Sequence, residues 1–315
     1  MTQRPAVLIM QRHLAPLSPF LEGAYDVHRF WEHPPLEAER DIRAVVVAGE
    51  YPLDKPALER LPNLGLIACF TAGYEAIDLD WCRARGLPVS HAPGVNHEDV
   101  ADHALGLILA ARREIVFGDR QVRAGEWTAA SRTITPSLAG QKLGIVGLGH
   151  IGKAVVRRCE PFRMDIRWWG PNARDEAWSR METLPDLARW ADILVVACRA
   201  DESNRGLVSR EVIEALGPQG LLVNVARGQL VDEDALVAAL ADGRLGQAAL
   251  DVFAEEPTDP ARWAGVPNVV LTPHTAGATT AGVQGMLMLL MQNLQAHFAG
   301  EPLKTPVGTI QSLIG

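Results

Sequence analysis

"KLGIVGLGHIGKAVVRRC", residues 142–159, is the stretch on which the fold turns. Residues 143–146 form a short apolar run that suits a buried strand, and the segment after Gly149 has helical spacing. Between them, Gly147, Gly149 and Gly152 stand in G-x-G-x-x-G spacing. Each glycine has its own steric reason. Gly147 permits a tight turn, Gly149 lets the backbone approach a pyrophosphate, and Gly152 lets helix and strand pack closely. The helix start at His150 and Ile151 adds N–H groups and a partial positive charge, which attract phosphate oxygens. A glycine-rich turn of structural use alone has the same letters. The strand–turn–helix context favours dinucleotide binding.

The same rhythm runs outward from this stretch. Apolar, strand-like runs recur at 166–169, 193–197, 221–225, 248–252 and 269–271. Helical patterns fall at 150–160, 209–216, 232–241 and 279–298. Strict alternation predicts a parallel, doubly wound sheet covered by helices on both faces. The first third repeats the pattern with apolar runs at 6–10, 44–47, 64–70 and 87–90. The predicted fold class is therefore α/β, with two doubly wound parallel-sheet domains and a cleft between them. The larger is a Rossmann dinucleotide-binding domain. Two long apolar helices, near 97–112 and 279–298, are the expected links. The last returns the chain to its first domain, so residues 1–96 plus 285–315 are predicted to form a discontinuous substrate-binding domain and 97–284 the dinucleotide-binding domain.

Composition narrows the function. The 315 residues are enough for two cores. A net charge of −8 argues against nucleic acid or an anionic membrane as the main partner. The four cysteines form no C-x-x-C and have no histidines clustered nearby, so free thiols in a reducing cytosol are expected and no metal site. The run at 6–10 is too short for a signal-peptide core. The longest apolar candidate, 282–294, carries Gln284, Gln292 and Asn293 and reads as a buried helix. A cytoplasmic protein is expected.

Ligands of such sheets lie beyond the carboxyl ends of the strands. An Asp or Glu is expected there, about 20 residues after the glycines, to hold the adenosine ribose. Here the strand ends at Trp169-Gly170, and the following loop offers Asn172 and Arg174 instead. An absent carboxylate removes repulsion of a 2′-phosphate, and Arg174 suits pairing with it. The alternative is a solvated loop cation, with Asp175 and Glu176 close behind. NADP is therefore the expected cofactor, with NAD possible. The later strand ends carry Arg227, then Asp251 and Glu256, then His274. A guanidinium, a carboxyl group and an imidazole are thus expected on one sheet edge.

"NVARGQLVDEDAL", "ALDVFAEEP" and "LTPHTAG", with "GIVGLGHIG" and the earlier "FTAGYEAIDLDWCRARGLPVSHAPGVNHEDVADHALGL", resemble the signature segments of the D-2-hydroxyacid dehydrogenase family. The resemblance runs in order from about residue 40 to 300, and is greatest to the glyoxylate/hydroxypyruvate reductase branch. It implies reduction of a small 2-oxo acid (glyoxylate, hydroxypyruvate or similar) to the 2-hydroxy acid by hydride from NAD(P)H. That chemistry needs the substrate carboxylate gripped, the carbonyl polarised and a proton delivered to its oxygen. Arg227 suits the first two tasks, because its guanidinium forks onto oxygens. His274 suits the third, with Glu256 holding its ring and favouring imidazolium. The resemblance also implies that N–H groups of Ala72 and Gly73 bind the substrate carboxylate. Val225, Ala226 and Gly277 would lie along the cofactor. Asp251 would accept from the nicotinamide carboxamide, or serve as a structural strand-end cap.

The chain departs from the family in "ACRADESNRGL", where Arg199 and Ala200 replace an often-seen proline. Arg199 is either a second contact to a 2′-phosphate or a solvent-facing loop residue. The Gly170-Pro171-Asn172 tip also lacks the Arg that NADP-using relatives often place there. Two other functions share the fold. One is a nucleotide-sensing corepressor, for which the chain shows no long disordered tail. The other is a formate dehydrogenase, a group that has Gln where Glu256 stands. Residues 123–137 look like an excursion that packs on a partner subunit, implying a homodimer, with Trp127 either an anchor there or core.

Overall fold

The structure, a computed structural model, describes residues 4–33 and 36–308. The chain divides into two compact units, one reaching Asn96 and resuming at Thr280, the other spanning His97–Thr279.

In the first unit, β1 (Ala6–Ile9), β2 (Asp26–Arg29), β3 (Ile42–Val47), β4 (Leu66–Cys69) and β5 (Val89–Ser90) form a parallel sheet in the order β2-β1-β3-β4-β5. The central strands are apolar on both faces because helices cover both. Val7, Ile9, Val46 and Leu66 share one core with Met286, Leu290 and Leu294 of the Thr280–Ala299 helix. Leu8, Val45 and Ile67 pack into the other with Leu58 and Cys82. The edge strand β2 reads Asp-Val-His-Arg and is only half-buried, so no apolar run marks it in the sequence.

In the second unit, β6 (Lys142–Val146), β7 (Asp165–Trp169), β8 (Ser179–Arg180), β9 (Ile193–Val196), β10 (Leu221–Asn224), β11 (Gln247–Leu250) and β12 (Val269–Leu271) form a seven-stranded parallel sheet. Its order is β12-β11-β10-β9-β6-β7-β8, so the chain winds first to one side of β6 and then to the other. Such a reversal splays the loops on either side and leaves a crevice at the carboxyl edge. The His97–Arg112 helix covers one face, burying Ala101, Ala104 and Ile108 against a core that includes Leu143 and Ile145. Leu187, Val212 and Leu236 cover the other face. Each fully buried Leu or Ile of this kind contributes about 1.5–3 kcal/mol. The strand ends that carry the site residues are thereby held in register.

The predicted boundary at 284/285 is corrected to 279/280. The final helix is continuous from Thr280 to Ala299 and gives its buried residues to the first unit's core, so it cannot be divided at 285. A further helix, Leu184–Trp190, not among those expected from the sequence, is capped by Thr183, whose hydroxyl accepts from the N–H of Asp186. Trp127 is exposed rather than core. The nearby Ile115–Ala124 helix buries none of its residues, and Ile115, Phe117, Val122 and Ile134 are also exposed. Among the described residues no helix is long and apolar enough to cross a membrane.

Candidate active site

The site is assembled on the carboxyl edge of the seven-stranded sheet. β6 runs into Gly147, whose φ of +92° lies in the left-handed region. A Cβ there would stand 2.5 Å from Cβ of Cys198, and a Cβ on Gly152 would stand 2.1 Å from the carbonyl oxygen of Gly147. Both positions thus exclude any side chain. Gly149, which has no side chain to accept from the first N–H groups, caps the His150–Cys159 helix. Its first N–H groups, those of His150 and Ile151 included, suit the oxygens of a pyrophosphate.

Asn172 and Arg174 lie exposed in the loop beyond β7. Arg174 makes no ion pair among the described residues, because Glu176 is engaged by Lys153 at 2.6 Å. A second cation stands at this tip, without a marker in the sequence. Arg180, on β8, donates to the carbonyl of Gly170 from Nε (3.2 Å) and Nη2 (2.8 Å). Beyond β9, Arg199 is exposed. The Asp201 carboxyl is held below its ordinary range first by the Ser203 hydroxyl, with the charge of Arg199 adding to the effect.

β10 ends in Asn224, whose buried amide fastens the following turn. Its Oδ1 accepts from the N–H of Ala226 (3.0 Å) and its Nδ2 donates to the carbonyl of Arg227 (2.9 Å). Gly228 comes next. A Cβ there would lie 1.8 Å from the carbonyl carbon of Phe253, so this loop rests directly on the one that leads to Glu256. Val225 and Ala226 are buried, and Arg227 is half-buried with Nη1 donating to the carbonyl of Ala226 at 2.7 Å.

Glu256 and His274 meet. His274 Nδ1 lies 2.6 Å from Glu256 Oε2, and Glu256 Oε1 accepts from the N–H of Phe253 at 2.9 Å. An ionised carboxylate only accepts, so Nδ1 carries the proton of this bond. Burial alone would raise the Glu256 carboxyl. The bonds from His274 and Phe253, and the charges of His274 and Arg227, outweigh it and hold the group below its ordinary range. The three residues thus form one electrostatic unit.

His274 itself has φ +52°, in the left-handed region. Asp251, only 1% exposed, holds the turn around it. Its carboxylate accepts from the Thr272 hydroxyl and from the N–H groups of Thr275 and Ala276, the residue before Gly277. Asp251 thus serves as the structural cap of this turn.

In the first unit, Ala72 and Gly73 form a bend after β4. The His91 ring, with Nδ1 at 3.0 Å, donates to the carbonyl of Ala72, and Thr71 Oγ1 donates to that of Gly73 at 3.0 Å. Among the described residues nothing accepts from the N–H of Ala72 or Gly73. Burial pushes the thiols of Cys69 up to about 11 and of Cys159 and Cys198 up to about 12, which disfavours the reactive thiolate.

A phosphate-cradling turn at a switch point, beside a carboxylate–imidazole pair and a guanidinium, defines a dinucleotide-dependent oxidoreductase. Residues 105–276 match the family model described as D-isomer specific 2-hydroxyacid dehydrogenase, NAD binding domain. The chain is 42% identical over 304 residues to glyoxylate/hydroxypyruvate reductase A of Arabidopsis thaliana, covering 93% of this chain and 97% of that one. It is 40% identical to hydroxyphenylpyruvate reductase of Plectranthus scutellarioides, covering 93% and 97%. The crystal structure of the NADPH-dependent glyoxylate/hydroxypyruvate reductase of Sinorhizobium meliloti, in complex with NADP and malonate, superposes with a TM-score of 0.89 at 34% identity, covering 97% of each chain. The chain belongs to the D-isomer specific 2-hydroxyacid dehydrogenase family. It is an NAD(P)-dependent enzyme, and these relatives are reductases, which favours catalysis over the corepressor alternative.

Proposed function

We propose that this enzyme reduces glyoxylate, hydroxypyruvate or a similarly small 2-oxo acid, with NADPH preferred as the hydride donor. The 2.6 Å contact between Glu256 and His274 carries the proposal. The reduced dinucleotide, when bound, supplies the hydride. Arg227 grips the carboxylate and polarises the carbonyl, and the N–H groups of Ala72 and Gly73 add to the grip. His274 delivers its Nε2 proton to the carbonyl oxygen as the hydride arrives, while Glu256 keeps Nδ1 protonated and the ring aimed.

Gly147, Gly149, His150, Ile151 and Gly152 take the pyrophosphate. Val225, Ala226, Asp251 and Gly277 contact the nicotinamide half. NADPH is favoured because no carboxylate ends β7 and Arg174 is unpaired among the described residues. The NADP held by the Sinorhizobium relative supports the same choice. The exposed apolar groups from Ile115 to Ile134 suit a homodimer interface, and the compartment is read as cytoplasm. A panel of 2-oxo acids, glyoxylate, hydroxypyruvate and hydroxyphenylpyruvate among them, tested with NADPH and with NADH, checks the proposal. Turnover of none of them would overturn it, and faster turnover with NADH would overturn the cofactor choice.

A further inference from the structure

We propose that Thr272 and His103 are positioning residues for His274, acting through the buried carboxylate of Asp251. The proposal rests on His274 being the proton donor. Asp251, just beyond β11, is wrapped by the turn that bears His274. Its Oδ1 accepts from the Thr272 hydroxyl at 2.5 Å and from the N–H of Thr275 at 2.9 Å. Its Oδ2 accepts from the N–H of Ala276 at 2.9 Å. Its main-chain carbonyl accepts from the N–H of His274 at 2.8 Å. His274 therefore keeps its left-handed φ of +52° inside a turn bonded on both sides to one residue. A non-glycine residue holds that conformation only where its surroundings enforce it.

The direction of the protons extends the network by one residue. Thr272 has a single hydroxyl proton, and an ionised Asp251 accepts it. Toward His103 Nε2, at 2.9 Å, the same oxygen is left only to accept. His103 must therefore present an Nε2–H, and that nitrogen also lies 3.4 Å from Asp251 Oδ1. The bonds run one way, from His103 to Thr272 to Asp251, ending on the charge, an arrangement in which each bond strengthens the next. His103 belongs to the His97–Arg112 helix, so the covering helix is tied to the turn that aims the imidazole. Without these donors Asp251 would be a buried carboxylate short of partners and the turn would lose its fixed shape.

The test compares kcat for glyoxylate with NADPH affinity in six variants of the whole enzyme. Thr272→Val keeps shape and removes the hydroxyl. Its kcat is expected to fall about tenfold, with the NADPH dissociation constant within about twofold of wild type. Thr272→Ser should restore the rate. His103→Leu should slow turnover, and His103→Gln, whose amide places an N–H near the lost one, should recover it. The double variant His103→Leu/Thr272→Val should lose less than the two single losses multiplied, because both side chains act on the one carboxylate of Asp251. Unchanged kcat in Thr272→Val and His103→Leu, losses that multiply in the double variant, or failure of Ser and Gln to rescue would overturn the proposal. His274→Ala, run alongside, separates this from the premise: full activity there removes the proton donor itself.

Discussion

Replacing Glu256 with Gln removes one charge and almost no volume. The carboxylate serves two donors, the Phe253 N–H on Oε1 at 2.9 Å and the His274 Nδ1–H on Oε2 at 2.6 Å. A Gln has one carbonyl oxygen. It keeps either the Phe253 bond, turning its NH₂ toward Nδ1, or the His274 bond, leaving the Phe253 N–H facing another donor. A hydrogen bond to a charged group contributes about 1.5–3 kcal/mol. Since 1.36 kcal/mol is a tenfold rate change, that corresponds to roughly 10- to 150-fold. The two side chains are 31% and 30% exposed, so solvent moderates the loss and the lower part of the range applies. Glu256→Gln should lower kcat for glyoxylate reduction about 10- to 50-fold. It should also move the alkaline fall-off of activity to lower pH, because the anion that favours imidazolium is gone and less of the enzyme holds a donor proton at any given pH. NADPH affinity, measured by titration calorimetry, should stay the same. A kcat within twofold of wild type and an unmoved pH profile would refute the idea that the pair works as a unit.

Arg174→Ala should weaken NADPH binding several-fold and leave NADH binding unchanged, in line with loss of a phosphate contact. An unaltered ratio would move 2′-phosphate recognition to Arg180 or Arg199. His297, on the Thr280–Ala299 helix, has its pKa lowered first by burial and then by the charge of Arg43, against a main-chain bond that raises it. The folded chain therefore binds this proton less readily than the unfolded one. The stability it contributes is present above its ordinary value of 6.5 and is lost as pH falls through the lowered one. His297→Phe should flatten the decline of melting temperature between about pH 7 and 5, and an unchanged slope would exclude this group. If the proposed homodimer pairs through Trp127 and Ile134, which are 60% and 97% exposed, replacing both with Glu should leave monomers by light scattering with little change in melting temperature. A dimer that survives both changes would place the interface elsewhere.

Much of the site was legible because each functional group follows a strand that the sequence announces. Strands such as β9 and β10 are buried on both faces, so they appear as unbroken apolar runs, and the polar letter that ends each run marks the edge. Arg227 and His274 stand out as candidates in this way. The half-buried edge strand β2 and the two-residue β8 lack that signal and were missed. The supporting shell was missed for a different reason. Asn224, Thr272 and His103 act through bonds spanning 3, 21 and 169 residues of sequence, and no period links a helix histidine to a turn threonine. Asn224 alone left a trace, as a polar residue closing the apolar run Leu-Leu-Val. The left-handed φ of His274 had no signature either, since glycine is the usual marker of that conformation.

The central claim is that His274 donates the proton that accompanies hydride transfer, and His274→Ala tests it most directly. Glyoxylate reduction should slow by about 10²–10⁴-fold while NADPH still binds as tightly as in the parent enzyme. A variant that turns over glyoxylate at the parent rate would contradict the account.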